Sequence, residues 1–220
     1  MSYTYWTADL HLSAKNTIEY CNRPFKDINH MNEGLIKNIN DRVKPEDTLI
    51  HVGDFFMLQN EVKHKPSYYE SLINCNIVHI MGNHDWNNSV KGCIEFAIVK
   101  ICGKIAYIKH IPPTKEELNN LPKIVDLVIC GHVHDKWKSI VELTDDMRFI
   151  PIINVGCDVW KYRPIRSDEL IGYYHQIIKE HKAKIDLDNK MIEGWKDGME
   201  DFVRTHGNAF VQSISKIEEY

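Results

Sequence analysis

The first part of the chain alternates short apolar runs with turn residues. Runs rich in β-branched and aromatic residues predict strands in four segments: YTYWTA (Tyr3–Ala8), DTLIHVGD, NIVHIMGNHD and IVDLVICGHVHD. The second half predicts hairpins. One is IEFAIVKICGKIAYIKH with its turn at Cys102-Gly103-Lys104, and the other joins WKSIVEL to RFIPIINVGC around Asp145-Asp146.

Helical periodicity lies between these strands. Apolar residues at helical spacing predict a helix over Asp27–Val43 that ends at Lys44-Pro45. Shorter helices are expected at Ser67–Ile73 and Thr114–Leu121. Alternating strands and helices followed by hairpins favour a mixed sheet system with helices outside, which is an α/β layered fold.

The pattern changes near the C-terminus, so we predict a core over residues 1–180 and a helical extension over 181–220. One apolar helical face is expected there, with Asp188 as N-cap and Gly207 as C-cap, formed by Ile192, Trp195, Met199, Phe202 and Val203. The extension could pack on the core, pair two copies of the chain or cover a site, and plain packing is the favoured interpretation.

Composition narrows the function classes. The 220 residues are 43% hydrophobic and 26% charged, which is ordinary globular usage. A net charge of −4 argues against nonspecific electrostatic binding to nucleic acid, so nucleic acid is not the favoured partner. Six scattered Cys, no evident signal peptide and no apolar run long enough to cross a membrane predict a reduced, cytoplasmic protein that does not act in a membrane.

Clusters of titratable residues follow the apolar strands, where α/β folds gather their ligand sites. They are TADLH, HVGDF, MGNHD, IKHIPP and CGHVHD. Strand alternation would put Asp9 and His11 on one side, and likewise His132 and His134. Carboxylate, imidazole and amide ligands without a thiolate suit Mn²⁺, Fe, Zn²⁺ or Ni²⁺, with Mn²⁺ favoured, and their number suits two metal ions rather than one.

The ordered set D-x-H, GD, GNHD, H and GHxH resembles the calcineurin-like metallophosphoesterases over about residues 3–175. CNRPF and INVGCDVWKYRPI further resemble a bacterial and phage subgroup of small phosphoesterases. The resemblance implies a four-layer αββα sandwich of two mixed β-sheets flanked by helices. It also implies a phosphoric ester hydrolase with two divalent transition metal ions, in which a metal-bridging hydroxide attacks the ester.

The resemblance also assigns roles to residues. One ion would be held by Asp9, His11, Asp54 and His134. The other would be held by Asp54, Asn83, His110 and His132, with Asp54 shared. His84 would protonate the leaving oxygen as general acid, and Asp85 would orient its ring.

Departures from the family pattern bear on the substrate. Ala14 stands where the subgroup often has His, which leaves metal binding intact and puts substrate contacts in doubt. GDFFM and GNHD differ from the serine/threonine phosphatase pattern, so a nucleotide or other phosphodiester is favoured over a phosphoprotein. The alternatives are a nuclease on DNA or RNA, a phosphomonoesterase, and, least favoured, a non-catalytic scaffold.

Some residues match no ligand motif. Arg23, Asn16 and Arg163 are candidate substrate contacts, although Arg23 could equally be a surface cation. His51 and His79 lie in apolar strands and are expected to be core residues with satisfied ring nitrogens.

Overall fold

The computed structural model describes residues 2–58 and 64–186, together with 190, 193 and 196. Nine strands lie within these residues: β1 (Thr4–Thr7), β2 (Thr48–Val52), β3 (Asn76–Ile80), β4 (Phe96–Ile101), β5 (Lys104–Lys109), β6 (Leu127–Cys130), β7 (Ser139–Leu143), β8 (Phe149–Asn154) and β9 (Ile165–Arg166). The helices are α1 (Lys15–Tyr20), α2 (Ile28–Asn40), α3 (Pro66–Ser71), α4 (Lys115–Asn120) and α5, described over 167–186.

The strands form two mixed sheets, as the sequence predicted. The first has the order β3-β2-β1-β9, with β9 antiparallel to a parallel set of three. The second has the order β4-β5-β6-β8-β7, with antiparallel strands at both edges of a parallel centre. Parallel strands end at the same edge of a sheet, so the loops after β1, β2 and β3 emerge together, as do those after β5, β6 and β8.

Each sheet has helices on its outer face. Helix α2 packs on the first sheet in a core that includes Tyr5 and Leu49, and α4 shares a core with Val128 of the second sheet. Side chains on the opposite faces, such as Trp6 and Ile129, are also fully buried. The layers therefore follow the predicted order α, β, β, α.

Helix boundaries follow local capping chemistry. The Asp27 side chain accepts a hydrogen bond from the backbone N–H of His30 and begins α2. Thr114 and Glu117 form a reciprocal capping box that begins α4. Helix α1 was not predicted, since its six residues carry no apolar stripe and its N-cap makes no side-chain hydrogen bond.

The C-terminal helix α5 begins within the predicted core. Contacts divide the chain into Met1–Tyr174 and His175–Tyr220, and this division falls inside α5. The predicted boundary at 180/181 stays a prediction. The apolar helical face and its two caps predicted between Asp188 and Gly207 lie outside the described residues.

Two further expectations concern the whole chain. All six cysteines are free thiols, as predicted. Within the described ranges, we find no helix with both the length and the apolar character needed to span a membrane.

His51 and His79 pair across β2 and β3 and are buried, as expected. Their ring centroids lie 5.6 Å apart. The expectation of satisfied nitrogens was wrong, because neither nitrogen of His51 has a hydrogen-bond partner and His79 Nε2 has only Glu70 Oε1 at 3.4 Å. Burial lowers the pKa of His79 to about 4 and holds the pKa of His51 well below its usual value.

The neutral state of His79 makes folding sensitive to acid. Between about pH 6.5 and pH 4, His79 is protonated in the unfolded chain but remains neutral in the folded chain. The free energy of unfolding therefore decreases as pH falls through this window. We expect His79→Phe to remove on the order of 3 kcal/mol of this pH-dependent loss. Urea unfolding at several pH values measures it, with the exposed His30→Phe as the matched control. An unchanged slope in His79→Phe would contradict the assignment.

Candidate metal centre

The predicted ligands lie just beyond the strand ends, in loops rather than within strands. Five of them adopt left-handed backbone conformations, with φ between 47° and 71°: Asp9, His11, Asp54, His132 and His134. The argument from strand alternation was therefore wrong, because β1 ends at Thr7 and β6 at Cys130. Asp, Asn and His adopt this backbone more readily than most residues do.

Apolar neighbours fix the loops after β1 and β2. Leu10 and Leu12 alternate with the first two ligands and are buried in the core beneath α2, as are Phe55 and Phe56 after Asp54. Backbone hydrogen bonds continue the ladder between the two loops, including His11 N to Asp54 O at 3.0 Å and Leu12 N to Phe55 O at 3.0 Å. Because predicted ligands and apolar residues alternate in these loops, the ligand side chains face the site and the apolar side chains pack in the core.

Asp9, His11 and His134 form the first group of converging ligand atoms. The rings of His11 and His134 stack with centroids 5.0 Å apart. Asp9 is fully buried and accepts two hydrogen bonds from the backbone N–H of His132 at 2.9 and 3.0 Å. Burial raises the pKa of Asp9 to about 6, and burial lowers the pKa of His11 to about 3, so the His11 ring is in its neutral, metal-binding form.

Asp54, His110 and His132 form the second group. Asp54 Oδ2 lies 3.2 Å from His110 Nε2 and 3.5 Å from His11 Nε2, so this carboxylate touches both groups. His110 Nδ1 lies 2.8 Å from the Val52 carbonyl, which can only accept, so Nδ1 donates and Nε2 faces the site. Burial alone would raise the pKa of Asp54, but His110 and His11 hold it below its usual value.

His84 and Asn83 lie at the rim of these groups. The His84 backbone N–H donates to Asp54 Oδ1 at 2.9 Å, and its ring makes an edge contact with His11 at a centroid distance of 5.5 Å. The His84 ring is partly exposed and Asn83 is exposed. Both residues therefore lie where a solvent-borne ligand can reach them, and their predicted roles stay predictions.

Asp85 has partners other than the predicted one. Its carboxylate is completely buried and accepts hydrogen bonds from the backbone N–H groups of Asp54, Phe55 and Gly82 at 2.8–2.9 Å. In the described structure, no contact between Asp85 and the His84 ring supports the prediction that Asp85 orients this ring. The contacts instead make Asp85 the link between the loops after β2 and β3.

Arg23 is neither a surface cation nor a phosphate clamp, and the prediction is corrected here. Its guanidinium is buried and forms a two-pronged ion pair with Asp158, with Nε to Oδ1 at 2.8 Å and Nη2 to Oδ2 at 2.9 Å. It also donates to the carbonyls of Asp9 at 2.6 Å and Leu10 at 2.9 Å. These contacts occupy the donors that a substrate phosphate would need.

The other candidate substrate contacts are on the surface. Asn16 is exposed on α1, and Arg163 is exposed after the 3₁₀ turn Cys157–Trp160. The structure joins neither side chain to the ligand groups. Ala14 is completely buried as the N-cap of α1, so a longer side chain would have to be accommodated inside the protein.

Asp158 was not among the predicted ligands or substrate contacts, and structural closure was its favoured interpretation, yet its Oδ2 lies 3.0 Å from His134 Nδ1. Cys21 also converges with His134 and Asp158. A signal for Asp158 existed, because it follows β8, whose carboxyl end lies at the same edge as that of its parallel neighbour β6. Cys21 follows a helix that the sequence did not predict. It opens the CNRPF segment, but no pattern marked it as a ligand.

Comparison with known proteins identifies the family. The family model for the calcineurin-like phosphoesterase superfamily domain matches residues 27–159, more than half of the chain. The chain belongs to this superfamily, which is a family of metal-dependent phosphoesterases.

Individual relatives leave the activity open. An uncharacterized protein from Methanocaldococcus jannaschii, MJ1445, is 32% identical over 167 residues, which cover 76% of this chain and 88% of the relative. The crystal structure of AQ665 from Aquifex aeolicus, a protein of unknown function, is 26% identical with a TM-score of 0.59 and covers 79% of this chain and 100% of that one.

Gly82 leaves space that the site needs. A Cβ placed on it would overlap the backbone N and Oδ1 of Asp54. We expect Gly82→Ala to displace Asp54, to lower the free energy of unfolding by about 1–3 kcal/mol and to weaken Mn²⁺ binding. Gly172→Ala is the control, because a Cβ there meets nothing within 4 Å. Urea unfolding and Mn²⁺ titration measure both effects, and equal behaviour of the two variants would contradict the role of Gly82.

Asp85→Asn separates a structural role from an orienting one. The amide keeps one acceptor oxygen where three N–H groups now point, so we expect a loss of about 1–3 kcal/mol in unfolding free energy. The pH dependence of any turnover should keep its shape, because Asp85 does not touch the His84 ring. The exposed Asp145→Asn serves as control. A shifted pH profile with unchanged stability would restore the original prediction.

Proposed function

We propose that this protein is a phosphodiesterase that hydrolyses a nucleotide or cyclic-nucleotide-like substrate. It would use two divalent metal ions, with Mn²⁺ favoured. One observation carries the proposal. Two groups of three ligand atoms converge at one edge of the fold, and the carboxylate of Asp54 contacts a histidine of each. This arrangement fits a shared carboxylate between two ions.

The residues present fit such ions. His11 is 4% exposed, and neither of its ring nitrogens has a hydrogen-bond partner. A buried polar atom without a partner is costly unless a ligand satisfies it. The ligands are carboxylates, imidazoles and one carboxamide, which suit Mn²⁺ and its neighbours in the first transition series. Asp9, His11, Asp54 and His134 would hold one ion, and Asp54, Asn83, His110 and His132 the other.

The chain's own residues complete the chemistry. Two bound ions would supply positive charge for the phosphate oxygens and lower the pKa of water. His84 would hold a proton on its ring and give it to the leaving oxygen, which is the role of a positioned general acid. Its backbone N–H is held on Asp54 Oδ1, which keeps the acid beside the shared carboxylate.

A diester is favoured over a monoester because of charge. A phosphomonoester carries nearly two negative charges near neutral pH, whereas a diester carries one. The guanidinium of Arg23, which donates to the carbonyl of the predicted ligand Asp9, is committed to Asp158 and to two carbonyls. Arg23 is therefore not available as the guanidinium clamp that a dianionic phosphate would use.

A substrate panel tests the proposal. Metal-free protein is reloaded with Mn²⁺ and given bis(p-nitrophenyl) phosphate, p-nitrophenyl phosphate, 2′,3′-cyclic nucleotides, dinucleotides and single-stranded DNA and RNA. Hydrolysis of the diesters ahead of the monoester supports it. Preference for the monoester would make the protein a phosphomonoesterase, and salt-sensitive cleavage of strands would make it a nuclease.

His84→Ala should keep both ions and lose turnover. We expect a fall of about 10²-fold or more on alkyl-leaving-group diesters, because their leaving oxygen needs a proton. The loss should be smaller for p-nitrophenolate, which leaves readily without one. Metal analysis and kcat on both substrates measure this, with exposed His30→Ala as the matched control and Asp54→Ala as the metal-deficient reference. Loss of metal equal to that of Asp54→Ala would show that His84 is a ligand.

A further inference from the structure

We infer that Arg23 and Asp158 form a positioning pair that sets His134 and Asp9 for one of the two ions; this inference rests on the proposed metal centre. The side chains of both residues are almost completely inaccessible, with exposures of 0% and 1%. Their two-pronged pairing leaves the Asp158 carboxylate one fixed orientation.

That orientation determines the form of His134. Asp158 Oδ2 lies 3.0 Å from His134 Nδ1, and a carboxylate that is already paired with Arg23 can only accept. Nδ1 of His134 therefore carries a proton, and Nε2 is the ring nitrogen left to face a metal ion. Ligating histidines commonly have such a partner for the second ring nitrogen.

The guanidinium of Arg23 also holds the backbone at Asp9, on the other side of the first ligand group. Arg23 Nη2 donates to the Asp9 carbonyl at 2.6 Å, and Nη1 donates to the Leu10 carbonyl at 2.9 Å. Asp9 has a left-handed backbone with φ of 57°, a conformation that its neighbours must stabilise. Arg23 thus ties the carbonyl of one ligand to the ring of another.

The direct contacts of the pair are with the first ligand group. Asp9 and His134 belong to the first ligand group, and in the part of the chain described no hydrogen bond or ion pair joins Arg23 or Asp158 to His110 or His132. His110 has a separate partner in the Val52 carbonyl. Removing the Asp158 carboxylate should therefore weaken the binding of one ion and leave the binding of the other largely unchanged.

Calorimetric titration of the metal-free full chain with Mn²⁺ tests this selectivity. In Asp158→Asn, we expect affinity at one of two sites to fall about 10–100-fold, while the second site changes little. The matched control is Asp168→Asn, which breaks a similar two-pronged pair with Arg166 on the surface. Arg23→Lys keeps the charge and loses the fork, so it should give the same selective weakening even where Asp158→Asn folds poorly.

A double-mutant cycle asks whether Asp158 acts through His134. In a His134→Ala background, Asp158→Asn should weaken Mn²⁺ binding no further, whereas a general structural role would add its full effect. Equal weakening of both sites, or additive losses in the cycle, would overturn the inference. A wild-type chain that binds two ions and hydrolyses no ester would overturn the proposed function alone, because the titration does not depend on turnover.

Discussion

The site depends on backbone that turns through the left-handed region directly after the strands. Five predicted ligands adopt this conformation, and each such residue costs free energy that its surroundings must offset. The offset comes from buried hydrogen bonds, among them Asp85 with three backbone donors and Arg23 with two carbonyls. The polar network around the ligands is therefore what makes their geometry stable.

Apolar packing and a glycine without a side chain also position the loops of the site. Leu10, Leu12 and Phe55 bury the loops in the core beneath α2, which leaves the intervening ligands facing the site. Gly131 lacks a Cβ that would lie 2.7 Å from Asp9 Oδ2, so the loop after β6 can approach the first ligand closely. Packing and space thus bring together loops from two different sheets.

Much of the fold was predictable because it follows from local patterns. Apolar spacing predicts α2, β-branched runs predict β1, β2 and β6, and Cys102-Gly103 predicts the hairpin of β4 and β5. The ligand motifs were recognisable because they follow these strands. Arg23 and Asp85 were misassigned because a side chain's partners, 135 and 31 residues away in the chain, depend on tertiary packing that no local pattern contains.

The ligands are dispersed over loops from Asp9 to His134, so an unfolded chain has no assembled group of them. A metal ion that binds here would bind the folded state and add its binding free energy to the stability of the whole unit. The free-ion concentration would then influence how much of the protein remains folded and how long it resists proteolysis. Dispersal of the ligands would thus link the abundance of the protein to the supply of a metal ion.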